Sequence, residues 1–202
     1  MTTVLRGIIV LALLAVYVAA LAAVLHPHIS PEYRAYYISR TSTDYNQPHY
    51  ASTPEGGLVF SREGLPDWVY RTYGFSVREP GGRWTDENLG RTAGLVFNRS
   101  FEGSLCLDFT AHAAPWMVGQ SIGVSMGSKA ANLGVATEAV SDYRVQFMGL
   151  RNAEQVEFVL PDRLPSVQER LPDSSDPRRV GIDLVQLRLL PGQCSAPAVQ
   201  AR

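Results

Sequence analysis

From Gly56 onward, apolar and polar residues alternate in short runs. Ala93, Leu95 and Phe97 share one phase. Leu105, Leu107 and Phe109 do the same, with Cys106, Asp108 and Thr110 on the opposite phase. Ile122-Val124-Met126, Tyr143-Val145-Phe147 and Val156-Phe158-Leu160 repeat the pattern. A period of two places one face of a strand in a core and the other in water. Gly, Asn, Asp or Pro separate the runs, as turns require. The spacing predicts an all-β domain, an antiparallel β-sandwich of jelly-roll type, rather than a parallel sheet with crossover helices. In the last run Val180, Ile182 and Leu184 share one phase and Val185, Leu187 and Leu189 the other. Such a flip predicts a bulge in a long central strand. The polar, proline-rich connection 160–179 suits the long crossings of jelly rolls and Greek keys. The domain is thus expected over 56–191, with a disordered tail over 192–202.

The N-terminus follows another pattern. Gly7 to Leu25 holds no charged residue, and Arg6 precedes it. As a helix this run spans roughly 28 Å, close to the thickness of a bilayer core. The chain is therefore expected to carry one transmembrane helix (1–25), contacting the membrane through residues 7–25. The N-terminus would stay cytoplasmic and the domain would lie in the periplasm or extracellular space. The expected location is a bacterial inner membrane, crossed once. A cleaved signal peptide is the alternative, since Ala20-Leu21-Ala22 fits a small-x-small cleavage pattern. Both readings export the domain.

Residues 26–55 form a juxtamembrane linker with five tyrosines and four prolines. Ser30 and Pro31 read as the N-cap and first position of a short helix. Tyr33, Tyr36, Tyr37 and Arg40 would share one of its faces, against the domain or the headgroups. His26 and His28 form a His-x-His pair, too few ligands to define a metal site. No metal or cofactor is expected.

The formal net charge of −1 and a pI near 6.4 give no reason to expect a nucleic-acid partner. Cys106 and Cys194 suit an oxidising compartment. They are read either as a disulfide or as a buried strand residue and a free thiol in the tail.

Candidate chemistry gathers in "GFSVREPGGRWTDE", residues 74–87, which is too broken for a helix interior or a long strand. Trp84 can stack on a sugar ring, with Glu79, Arg83 and Asp86 as its polar surround, or can fill the edge of the core. Arg178 and Arg179 can grip phosphate or carboxylate, or pair with Asp173, Asp176 or Glu79 to fix the long connection. Trp116, after Pro115, is the expected exposed loop aromatic. His112 lacks a recognisable nucleophile and is read as structural. Glu79, Asp86, Glu87 and Asp108 could serve glycoside hydrolysis, but no spacing selects a pair.

Three stretches carry a family resemblance: "GFSVREPGGRWTDE", "LDFTAHAAPWMVGQSIGVSMG" and "SSDPRRVGIDLVQLRLLP". Together they resemble a bacterial β-sandwich domain of unknown function attached to membrane glycosyltransferases and phosphoglycerol-transferase-like enzymes of envelope glycan assembly. The matching positions are Gly74, Phe75, Ser76, Glu79, Gly82, Trp84, Thr85 and Asp176 to Arg179. The resemblance implies a fold and an envelope setting. The expectation is an anchored, non-catalytic accessory domain that binds an envelope glycan or lipid-linked saccharide, or docks on a glycosyltransferase or phosphoglycerol transferase. A polysaccharide-modifying enzyme and a structural subunit of a membrane complex are the alternatives.

Overall fold

The computed structural model describes residues 2–25, 30–134, 138–195 and 199–200. His26 and His28 lie outside the described residues. Helix α1 (Thr2–Leu25) is long and apolar enough to cross a membrane, and none of its Leu5–Ala22 stretch is buried in the fold. Ser30 caps the short helix α2 (Pro31–Tyr33), its Oγ accepting from the Tyr33 N–H at 3.1 Å. The chain continues as a wider turn of π type over Arg34–Ile38.

The small parallel pair β1 (His49–Tyr50) and β3 (Leu65–Pro66) flanks the main sheet. That sheet has nine strands among the described residues. They are β2 (Leu58–Val59), β4 (Val69–Tyr73), β5 (Arg83–Asp86), β6 (Thr92–Ala113), β7 (Ser121–Met126), β8 (Lys129–Gly134), β9 (Ser141–Val159), β10 (Val180–Pro191) and β11 (Val199–Gln200). Helix α3 (Val167–Arg170), with a Ser166/Glu169 capping box, interrupts the long connection before β10.

The two longest strands, β6 and β9, form one antiparallel ribbon, from Thr92 opposite Val159 to Ala111 opposite Ser141. The register slips between Val96 and Leu105, where Gly103 (φ 79°) and Gly149 (φ 66°) occupy backbone conformations costly for other residues. There the ribbon folds over. Phe109 near one end and Phe158 near the other meet edge to face, with ring centroids 5.2 Å apart. One sheet thereby makes both layers of an antiparallel sandwich. One layer orders β4, β6, β9, β7 and β8; the other orders β5 with β2, then β10, β6, β9 and β11.

The core follows the predicted phases: Ala93, Leu95, Phe97, Leu105, Leu107, Phe109, Ile122, Val124, Met126, Val145, Phe147, Val156, Phe158 and Leu160 are all buried. The predicted bulge in the last long strand falls between Leu184 and Gln186. One face departs from expectation. Cys106 and Asp108, assigned to the wet side of β6, are buried. Asp108 is held between Arg188 (2.7 Å) and Arg144 (3.4 Å), its cross-strand neighbours. Cys106 is joined to Cys194 in a disulfide, which resolves the two readings of the cysteines.

That bond also corrects the tail, since residues 192–195 are not free chain. The Gly192 N–H donates to the Ser104 carbonyl. The Gln146 amide donates to the Gly192 carbonyl, and its Oε1 accepts from the Cys194 N–H. The linker needs the same correction. Residues 41–50 belong to the folded unit, because the Ser42 hydroxyl donates to the Thr72 carbonyl, Asp44 pairs with Arg83, and His49–Tyr50 pair with Leu65–Pro66.

Candidate functional site

The sandwich face around β5, β10 and β6 carries the candidate site. Asp183 on β10 stands opposite Trp84 on one side and opposite His112 on the other. Cross-strand partners project from the same face, so the three side chains form a row. His112 Nε2 lies 2.8 Å from Asp183 Oδ2, and the imidazole meets the Trp84 ring edge to face at 4.9 Å. His112 is partly exposed, whereas the Asp183 side chain is only 4% exposed. Burial raises the Asp183 carboxyl above its ordinary value, and the bond to His112 acts against that shift. Asp183 Oδ1 has no hydrogen-bond partner among the described residues.

The hairpin before β5 covers this carboxylate. Phe75 pairs with Thr85, and Glu79 and Gly82 exchange backbone hydrogen bonds across a tight turn. A Cβ at Gly82 would stand 2.5 Å from Asp183 Oδ1 and 2.4 Å from the Leu184 carbonyl oxygen, so only glycine lets the turn lie this close. Arg178 reaches the same hairpin. It contacts Glu79 at 2.6 Å, donates to the Ser76 hydroxyl and grips Asp176 at 2.7 Å. The Arg178 hydrogen bonds hold the Asp176 carboxyl below its ordinary value. Glu79 raises and Arg178 lowers the Asp183 value, which places both charges within electrostatic reach of the row.

The expected site residues divide. Trp84, half-buried at the core's edge, and Glu79 with Arg178 come together with Asp183 and His112. Arg83 does not join them. It is buried and bonded to Asp44, to the hydroxyls of Thr43 and Thr72 and to the Ser76 carbonyl, so it has turned away from any ligand. Asp86 is also buried and structural, accepting from the Asn88 and Arg179 N–H groups. Arg179 is spent on the Leu164 carbonyl and Glu169. Trp116 is half-buried rather than free in a loop, its indole N–H donating to the Val180 carbonyl at 2.8 Å.

The four carboxylates considered for hydrolysis have separate structural duties. Glu79 pairs with Arg178, Asp86 caps a turn, Glu87 accepts from the Arg163 and Leu164 N–H groups, and Asp108 lies between two arginines. Sequence reasoning missed Asp183 altogether. It lies among apolar residues in "VGIDLVQL", and a lone acid in a buried strand was the available signal.

The chain belongs to the DUF7024 family, a domain of unknown function, whose model matches residues 43–191. That start agrees with the packing of residues 41–50 rather than with a boundary at Gly56. The chain is also similar to phosphoglycerol transferase I of Citrobacter koseri, at 26% identity over 133 residues. The enzyme of the same name from Escherichia fergusonii is 25% identical over 133 residues. The match covers 66% of this chain and only 17% of each enzyme's length. Among solved structures, "BiXyn10A CBM1 APO" aligns with a TM-score of 0.37 and 8% identity, over 68% of this chain and 98% of that one. A score that low carries no conclusion about ligand or mechanism.

Proposed function

We propose that this protein is an exported accessory domain, tethered to the membrane by α1, that binds an envelope glycan or the saccharide of a lipid-linked precursor without transforming it. The row Trp84–Asp183–His112 carries this reading. A half-buried indole offers an apolar ring for the C–H face of a sugar, and the polar groups beside it can accept and donate to hydroxyls. Asp183 Oδ2, beneath the Gly82 turn, is bonded to the partly exposed His112 ring, which suits positioning of the imidazole toward a neutral polar ligand. The apolar first helix, the disulfide and the partial similarity to phosphoglycerol transferase I support an envelope setting.

The test is a glycan array probed with the full-length protein in detergent, beside Trp84→Ala and Asp183→Asn. Wild type is expected to bind a subset of envelope saccharides. Trp84→Ala is expected to bind about tenfold more weakly, the loss of roughly 1–1.5 kcal/mol of aromatic contact. Its thermal unfolding should show that the fold persists. Binding unaffected by either substitution would remove the site. Absence of any glycan binding, with a glycan-assembly enzyme co-purifying from native membranes, would replace ligand binding with docking.

A further inference from the structure

A second cleft lies where the chain leaves the membrane helix. In the turn over Pro31–Ile38, Ala35 is buried and its carbonyl accepts from the Thr41 and Ser42 N–H groups, while the Ser42 hydroxyl donates to the Thr72 carbonyl of β4. Thr41 in turn accepts from the Gly74 N–H at 2.7 Å. Between turn and strand opens a cleft lined by Pro31, Arg34, Ala35, Ser39, Thr41 and Arg71. No Asp or Glu stands among its described lining residues.

Seven arginines among the described residues are spent in ion pairs. Arg34 and Arg71 make no ion pair among the described residues, yet both face one cleft with two hydroxyls, Ser39 and Thr41, themselves 3.3 Å apart. The Ser39 hydroxyl donates to the Arg34 carbonyl at 3.1 Å, so the capacity to bind an anion lies in the two guanidiniums, which suit a phosphate group.

The position selects the source of that phosphate. Only residues 26–30 separate the end of α1 from Pro31, a reach of no more than about 20 Å. Beside the cleft, Tyr33, Tyr36, Tyr37 and Tyr45 form an exposed aromatic cluster, with ring centroids 4.6–6.1 Å apart. Tyrosine rings favour the headgroup layer, where one end is apolar and the other wet. We propose that Arg34 and Arg71 bind the phosphate of an anionic phospholipid headgroup at the membrane surface, while the tyrosine cluster lies among the neighbouring headgroups. This rests on the reading that α1 spans the membrane.

Full-length protein in detergent micelles, titrated with phosphatidylglycerol or phosphatidylcholine and read by native mass spectrometry, tests the site. Wild type is expected to retain phosphatidylglycerol preferentially. Arg34→Gln and Arg71→Gln are each expected to weaken retention about tenfold, the loss of one charge-assisted contact. Arg62→Gln is the control and should leave it unchanged. If Arg71→Gln, within β4, fails to fold, Arg34→Gln on the exposed turn decides alone. Retention unchanged in Arg34→Gln, or no preference for the anionic lipid, overturns the proposal. Inorganic phosphate that displaces the lipid at equal concentration would assign the cleft to free phosphate and also overturn it. Carbonate extraction of native membranes separates the two readings. Release of the protein defeats the anchor, whereas a retained protein without lipid preference defeats only this site. Glycan binding at Trp84 should be indifferent to both arginine substitutions.

Discussion

Single residues here act chiefly through burial. Arg83 has a side chain only 2% exposed, and burial pulls its guanidinium below its ordinary value while Asp44 holds it charged. Removing one partner of such a pair strands the other. Asp44→Ala is expected to destabilise the domain by about 3–5 kcal/mol in chemical denaturation, and the double variant Asp44→Leu/Arg83→Met by less than the sum. Asp176 gives a second prediction, of known sign. Its folded value lies below the ordinary carboxyl value of 3.8, so its contribution is present above that value and is lost as pH falls through the folded one. Asp176→Asn should therefore flatten the acid limb of the stability profile below about pH 4, measured by thermal unfolding against pH. Asp183 is shifted the other way, and its charge opposes folding as pH rises through its folded value.

At the scale of elements, the hairpin over residues 74–86 shows why a broken sequence was needed. Its three glycines looked like loop composition. Gly82 instead lets the backbone lie against Asp183 and Leu184. Gly82→Ala should cost about 1–3 kcal/mol and disturb the row at Trp84, measurable as a lowered melting temperature together with a changed indole fluorescence. The strands themselves were legible, because alternation reports which side chains face the core whatever the strand order. The fold-over of β6 and β9 was not. Phe109 and Phe158 lie far apart along the ribbon, and nothing local announces their contact.

For the whole molecule, the disulfide closes the chain over 88 residues and ties the end of the domain to the middle of β6. In the chain-entropy account a loop of this length contributes about 4–5 kcal/mol. Reduction, or Cys194→Ser, should lower the unfolding free energy by a value of that order, read in urea with and without reductant. The same substitution should expose the Gly192–Ser195 segment to protease, because the hydrogen bonds to Gln146 and Ser104 would then be its described ties.

The sequence by itself determined the strand phases, the bulge in the last strand, the apolar first helix and the cap at Ser30, since each depends on neighbours within a few positions. The tertiary structure decided which of the candidate side chains are taken up by internal partners. Arg83, Asp86, Arg179 and Trp116 looked as available as Trp84 because composition shows a side chain but not its partners. Three-dimensional packing consumed their hydrogen bonds with Asp44, Asn88, Glu169 and Val180, while it assembled Trp84, Asp183 and His112 from three strands distant in sequence.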